Sequence, residues 1–193
     1  RLTRLNLVVE GEENLIDGSS ILVANHASYT DPMVLAAALP ADFAFVAKKE
    51  LKYIPFAGYV LGKIGTHLVD RKDPRKGADD FNKIMKSSKE NDSIIFFPEA
   101  TFLKEEGLLK FKKGAFLTAV KSQVPVVPIT INGSRNLLRS ESWLPENVQL
   151  KVTIHPSIPT DHPEMELKEI MEEARQKILS NLGEPDLHTR SFQ

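Results

Sequence analysis

The sequence of 193 residues contains no cysteine and has a formal net charge of only −1. The lack of cysteine excludes disulfide bonds and cysteine-ligated metal sites. A net charge so close to zero excludes the overall basic field of nucleic-acid-binding domains, so we expect no nucleic-acid partner. No run of about 18 apolar residues occurs, so we expect no membrane-spanning helix within these residues.

Length and composition are those of one globular domain, with 41% hydrophobic and 26% charged residues. No secretory signal is recognisable, and the chain begins at Arg1 rather than Met, so we expect a domain cut from a longer protein. We predict a single domain over residues 1–183 and a loose polar tail over residues 184–193.

Strand-like and helix-like segments alternate along the chain, which predicts an α/β fold. Apolar or alternating segments predict strands at 5–10, 19–24, 42–47, 66–71, 93–98, 124–133 and 148–156. Apolar spacing and capping residues predict helices from Asp31 to Pro40 and at 77–90, 112–123 and 163–183. We expect Pro125 and Pro128 to lie at a strand edge, because proline cannot donate to a sheet ladder.

The segment VANHASYTDP (23–32) places His26 five positions before Asp31, between a predicted strand and a predicted helix. A neutral imidazole is a suitable general base near neutral pH, and a carboxylate that fixes its tautomer improves it. A residue that opens the helix can turn back towards a ring in the loop. On this segment alone, a capping aspartate beside an ordinary loop histidine is the alternative. Ser28 lies between the two but lacks the Gly-x-Ser-x-Gly context of a nucleophile.

Four stretches occur in a fixed order: NHASYTDP (25–32), GKIGTHLVDR (62–71), FFPEATF (96–102) and VPVVPI (124–129). They resemble the four motif blocks of the glycerolipid acyltransferase family, of the lysophosphatidic-acid acyltransferase type, whose first and third blocks read NHxxxxDP and FPEGTR. This resemblance implies a mixed, mostly parallel central sheet flanked by helices, as in glycerol-3-phosphate acyltransferase.

The resemblance implies transfer of a fatty acyl group from a thioester, acyl-CoA or acyl carrier protein, to a hydroxyl of a lysophospholipid or glycerol-phosphate-type acceptor. It makes His26 the general base and Asp31 its partner. A thioester is already activated, so no covalent enzyme nucleophile is needed, and a positioned base supplies about 10²–10⁴-fold in rate. We expect no metal and no resident cofactor. A lipid-binding module with reduced or no turnover and a thioester or ester hydrolase are the alternatives.

Further site residues follow from the motif match and from the need of a phosphate for cations. Arg71 closes the second block and is the first candidate for the phosphate. Glu99 in the third block is expected to bind the acceptor head or to brace the site. Thr101 and the amides near Ala100 are expected at a phosphate or at the developing oxyanion. Lys48 and Lys49 are additional candidates.

The third block departs from the family pattern at two positions. Ala100 stands where glycine is usual, and its methyl group disfavours a left-handed backbone. Phe102 stands where arginine is frequent, which removes a phosphate-binding charge. We therefore expect either a different head group or a replacement cation, for which the candidates are Lys104, Lys110, Lys112 and Lys113.

The expected substrates also imply a place of action. An acyl chain requires an apolar groove, and YIPFAGYVLGKI (53–64) is a candidate groove wall or membrane-contact segment. We expect a role in phospholipid biosynthesis and peripheral association with a membrane surface on the cytoplasmic side.

Overall fold

The computed structural model describes residues 6–40, 43–48, 66–69, 83–84, 86, 93–137, 148–161 and 166–188. Within these ranges the strands are β1 (Asn6–Glu10), β2 (Ile21–Ala24), β3 (Phe43–Lys48), β4 (Thr66–Val69), β5 (Ser93–Phe96), β6 (Val126–Asn132) and β7 (Gln149–Ile154). The helices are α1 (Asp31–Ala38), α2 (Gly114–Ser122) and α3 (Leu167–Leu182), with short 3-10 helices at Glu12–Asn14 and Ser134–Asn136. Each of these strands falls within or next to a segment for which the sequence predicts one.

The described strands form one sheet in the order β1-β7-β6-β2-β5-β3-β4. β2 pairs in parallel with both β5 and β6, and β3 pairs in parallel with β4 and β5. β1 and β7 are parallel to each other, while β7 runs antiparallel to β6. The prediction of a mixed, mostly parallel sheet is confirmed.

Helices cover both faces of this sheet. For this reason β2, at the centre of the sheet, is buried on both sides. Ile21 and Val23 point to the face where α2 and α3 pack. Leu22 and Ala24 point to the opposite face, against α1. The alternation of side chains along a strand thus produces a helix–sheet–helix arrangement.

The predicted helix at 77–90 is described only at residues 83, 84 and 86, which are helical, and Ile84 is buried there in the core. The rest of that prediction lies outside the described residues. In the part of the chain that the structure describes, no helix combines the length and apolarity that a membrane span requires.

The position of the two prolines differs from the expectation. Pro128 lies inside β6, between β2 and β7, and not at a strand edge. Its carbonyl accepts the amide of His155, so its nitrogen faces the β7 side as well. The β6–β7 register ends next to Pro128, at Ile129 opposite Ile154, so the missing N–H falls at the end of that ladder. Pro125 precedes β6, and its carbonyl accepts the amide of Ile21.

The segment after α3 also differs from the expectation of a loose tail. Gly183 ends the helix in a left-handed conformation (φ 70°), as the sequence predicts. Leu187 is buried, and Leu108 pairs with the following segment by accepting the amide of Leu187 and donating to the carbonyl of Pro185. Residues 184–187 are therefore held to the rest of the domain by hydrogen bonds and by the burial of Leu187. Residues 189–193 lie outside the described residues.

Parallel strands bring the motif residues together. The carboxyl ends of β2, β3, β5 and β6 lie at one edge of the sheet, where α/β proteins place their sites. Asn25 and His26 follow β2, and Glu99 follows β5. The Asn25 amide group fixes this edge, since its Nδ2 donates to the carbonyl of Ile131 (3.0 Å) and its Oδ1 accepts the amide of Ile131 (2.7 Å).

Candidate active site

His26 and Asp31 are in direct contact. His26 Nδ1 lies 2.8 Å from Asp31 Oδ2, with the imidazole 17% exposed and the carboxylate fully buried. A proton on Nδ1 donates to the carboxylate, and this leaves the lone pair on Nε2. Among the described residues no hydrogen bond engages Nε2. The arrangement is that of an oriented general base.

The loop geometry explains how a spacing of five residues produces this contact. Asp31 is the first residue of α1, and its Oδ2 also accepts the backbone amides of Ala27 (2.7 Å) and Ser28 (2.9 Å). These bonds hold the loop around the carboxylate and turn His26 towards it. Ser28 is engaged elsewhere, because its hydroxyl oxygen accepts the amide and the hydroxyl of Thr30. The described contacts thus form a His–Asp pair without a serine nucleophile.

Glu99 connects the two loops that form the site. It is 3% exposed, its Oε1 accepts the amide of His26 (2.7 Å), and its Oε2 accepts the amide of Leu109 (2.7 Å). Glu99 therefore braces the backbone that carries the imidazole. Its binding to the acceptor head, the other role the motif implies, stays a prediction.

The environment of Glu99 favours its neutral form. Burial raises the pKa of Glu99 from 4.5 to about 8, because desolvation outweighs the two amide donors and the positive charge of Arg175. The negative charge of Asp31 contributes a smaller rise. A neutral carboxyl keeps both amide bonds, since each oxygen retains a lone pair that can accept.

We expect Glu99→Gln to lower the free energy of unfolding by about 1–3 kcal/mol at pH 6, because the amide NH₂ meets a backbone N–H where an oxygen accepted it. The pH dependence should differ as well. Because the pKa of Glu99 is higher in the folded state than in the unfolded state, its protonation stabilises the folded protein. This contribution to the free energy of unfolding is fully present below about pH 4.5 and is lost as the pH rises through about 8. The deficit of the variant should therefore shrink by about 1.4 kcal/mol per pH unit over that window. Urea denaturation of both proteins at several pH values measures this, and parallel stability curves would contradict it.

Ala100 adopts the conformation that the sequence makes unfavourable. Its φ is 66°, in the left-handed region, and its amide donates to the carbonyl of Phe97 (3.0 Å) in the turn after β5. The Ala100 amide is thus already engaged within the turn. The neighbouring Thr101 is exposed, and its contact with a substrate stays a prediction.

We expect Ala100→Gly to leave the free energy of unfolding unchanged or to raise it by up to about 1 kcal/mol, since glycine relieves the left-handed strain. Ala36→Gly is the matched control, because Ala36 is an exposed residue within α1. There the same change should cost about 1 kcal/mol. Thermal and urea denaturation compare the two, and equal losses at both positions would contradict the role of backbone strain at Ala100.

Aromatic rings surround the imidazole. The His26 ring stacks on Phe97 with ring centres 4.4 Å apart, and Phe102 meets its edge at 4.6 Å. Tyr29, which is 75% exposed, contacts Phe102 at 4.8 Å. Phe102 therefore places an apolar ring beside the His26 imidazole, at the position where the motif often has arginine.

The structure says less about the cationic candidates. Lys48 is the last residue of β3, and so its backbone lies at the same edge of the sheet as His26. Its side chain, together with Lys49 and Arg71, lies outside the described residues. The replacement candidates Lys104, Lys110, Lys112 and Lys113 are all exposed.

Comparison with known families assigns this chain to one of them. A family model described as Acyltransferase matches residues 6–132, which is more than half of the chain. The chain belongs to the acyltransferase family.

Other proteins resemble this member of the acyltransferase family over most of its length. The 1-acyl-sn-glycerol-3-phosphate acyltransferase of Saccharomyces cerevisiae is 32% identical over 93% of this chain and 61% of its own length. A chloroplastic protein of that name from Brassica napus is 33% identical over 91% of this chain and 50% of its own length. The chain thus spans about half to three fifths of the length of these relatives. The crystal structure of the 1-acyl-sn-glycerophosphate (LPA) acyltransferase from Thermotoga maritima aligns with a TM-score of 0.74 at 26% identity, covering 99% of this chain and 76% of that one.

Sequence reasoning missed one buried charge of this acyltransferase-family chain. Arg175 is 2% exposed and lies within the apolar stripe of α3. The available signal was its spacing, since it stands four residues after Met171 and three before Ile178. A cation on an apolar helix face needs a buried partner.

Proposed function

We propose that this chain transfers a fatty acyl group from a thioester to a hydroxyl of a 1-acylglycerol-3-phosphate or related lysophospholipid. The observation that carries this proposal is the 2.8 Å contact between His26 Nδ1 and Asp31 Oδ2 at the carboxyl end of β2. Family membership supports the reaction type, and the names of the relatives support the acceptor class.

In the proposed reaction Nε2 of His26 accepts the proton of the acceptor hydroxyl. The oxygen then forms a bond to the thioester carbonyl carbon, and the carbon–sulfur bond breaks. The thiolate leaves and takes the proton back from the imidazolium, so the base is regenerated. Asp31 stabilises the imidazolium that forms in between. These steps use no resident metal or cofactor, because the thioester is activated from the start.

The donor is proposed to be acyl-CoA or acyl carrier protein, both of which present a thioester. For the acceptor phosphate, the motif position of Arg71 supports a direct contact, with Lys48 and Lys49 as further cations. The apolar ring of Phe102 beside His26 favours contact with the glycerol or acyl portion of the acceptor on that side.

We further propose that the site works at the cytoplasmic surface of a membrane, where the lysophospholipid acceptor would reside. Two exposed apolar side chains support this, since Tyr29 is 75% and Met33 is 46% exposed beside the site.

The double variant Tyr29→Ser with Met33→Ser should bind more weakly to vesicles of phosphatidylcholine and phosphatidylglycerol, as measured by co-sedimentation. Ile16→Ser is the control, because Ile16 is an exposed apolar residue before β2, at the opposite edge of the sheet. Equal binding of all the variants would contradict this placement.

One assay tests the reaction itself. The purified chain is offered a labelled long-chain acyl-CoA, or acyl carrier protein charged with the same acyl group, with a panel of lysophospholipids, and the products are followed by mass spectrometry. Acylated acceptor that requires His26 supports the proposal. Free fatty acid without acylated product indicates a hydrolase, and lipid binding without either product indicates a binding module.

A further inference from the structure

Arg175 lies in α3, outside the residues that match the family model. Its guanidinium donates from Nη1 to the carbonyl of Leu109 (2.6 Å) and from Nη2 to the carbonyl of Leu108 (2.8 Å). Nη2 also forms an ion pair with Asp186, and the group lies 5.1 Å from the ring centre of Phe111. A buried cation with this many partners fixes the backbone that it contacts.

The carbonyls that Arg175 holds lead directly to the active site. Leu109 accepts from Arg175 with its carbonyl and donates its amide to Glu99 Oε2 (2.7 Å). The other oxygen of Glu99 accepts the amide of His26 (2.7 Å). Hydrogen bonds thus run without a gap from the C-terminal helix to the backbone of the proposed base.

The segment after α3 contacts the same loop through further hydrogen bonds. Glu184 accepts the amide of Gly107 (2.6 Å) and pairs with Arg135, whose Nη1 donates to the carbonyl of Leu103 (2.6 Å). Gly107 has a φ of 136°, and a Cβ there would lie 2.5 Å from the side chain of Leu187. The loop at 103–109 is therefore held by Arg135, by Arg175 of α3 and by residues 184–187.

We propose that Arg175 is a positioning residue for the acyl-transfer reaction: held by Asp186, it fixes the Leu108–Leu109 backbone and, through Glu99, the place of His26. This inference rests on the proposed function for its catalytic consequence. The structural part of the inference does not depend on the proposed function, because that part concerns only how the amides of Leu109 and His26 are held in place.

Electrostatics support the same connection. The positive charge of Arg175 is among the influences that lower the pKa of Glu99 against the dominant effect of burial. The hydrogen bond from Arg175 in turn lowers the pKa of Asp186. The loss of Arg175 should thus favour the neutral form of Glu99 still further and loosen the loop.

Amide hydrogen exchange of the whole chain, followed by NMR, tests the structural part without any substrate. In Arg175→Met the amides of His26 and Leu109 should exchange at least about tenfold faster relative to that of Ile158, which donates to the carbonyl of Val126 (2.7 Å) at the start of β6. Asp186→Asn should give a smaller acceleration at the same two amides. Equal acceleration at all three positions, or no change, would overturn the proposal.

The matched control is Lys177→Met, on the same helix. Lys177 donates to the carbonyl of Pro156 (3.0 Å) and pairs with Glu173, so its loss also removes a backbone contact and an ion pair. It has no described connection to Glu99, and the exchange of the His26 and Leu109 amides should stay at the wild-type rate. If Arg175→Met does not fold, Arg175→Lys and Asp186→Asn carry the same comparison.

Kinetics test the catalytic part. Arg175→Met should lower kcat about 10–100-fold with a smaller change in KM, because the base is displaced while the substrates still bind. Arg175→Lys should recover part of the loss, since an ammonium reaches one of the two carbonyls. In the double variant of Arg175→Met with Glu99→Gln, the loss in kcat, expressed as a free energy, should be smaller than the sum of the two single losses. Additive losses would overturn the proposed connection. A wild-type chain without acyl transfer would refute the proposed function alone, and the exchange rates would still decide the role of Arg175.

Discussion

His26→Ala is expected to lower kcat/KM for acyl transfer by about 10²–10⁴-fold, the contribution of a positioned general base. In the proposed reaction the imidazole is the group that accepts the proton of the acceptor hydroxyl. Truncation also removes the stacking on Phe97 at 4.4 Å, but His26 is at the surface of the core and the fold should persist. Rates of acylated product formation, measured at several acceptor concentrations, give the loss, and circular dichroism checks the fold.

The control for this variant is His188→Ala, which removes an exposed imidazole. Its rate should equal that of the wild type. Acyl transfer by His26→Ala within about twofold of the wild type would refute general-base catalysis by this residue. The same result would also remove the main support for the proposed function.

Asp31→Asn is expected to lower kcat by about 10²–10⁴-fold with little change in KM. The asparagine oxygen can take the place of Oδ2 and still accept the amides of Ala27 and Ser28. The negative charge that stabilises the imidazolium is lost, and the new NH₂ falls where Oδ1 now lies buried without a hydrogen-bond partner among the described residues. The loop should therefore persist while the base becomes ineffective.

Steady-state kinetics separate kcat from KM for this variant. Asp17→Asn makes the same chemical change on an exposed loop residue and should leave both constants as in the wild type. A rise in KM with unchanged kcat would contradict the assignment, since it would make Asp31 a substrate-binding residue. Unfolding of the variant would show in its circular dichroism and is distinguished from a catalytic loss in that way.

The sequence predicted the strands of the sheet well because each is a short apolar or alternating run between turn residues. It predicted the wrong place for Pro128, since a strand edge is defined by the neighbours that a strand acquires, and these come from β2 and β7 far away in sequence. It also predicted a loose tail from residue 184. The residues that bind Glu184 and Asp186 lie 49 and 11 positions away along the chain, so the local pattern of the tail does not show them.

The contact between His26 and Asp31 could be predicted from the sequence because both residues come from one loop, only five positions apart. The same segment could not show that Asp31 Oδ2 would gather two backbone amides as well as the imidazole. The bracing role of Glu99 was one of two that the motif implied, and burial together with the two amide bonds shows that it braces the loop.

Sequence alone thus determined the pairing of His26 with Asp31 and the strand segments, because both follow from local pattern. Only the tertiary structure decided what supports His26. The hydrogen bonds that lead from Arg175 through Leu109 and Glu99 join residues separated by 66, 10 and 73 positions. Contacts at such separations depend on the order of strands in the sheet and on where α3 packs, and no local pattern encodes either.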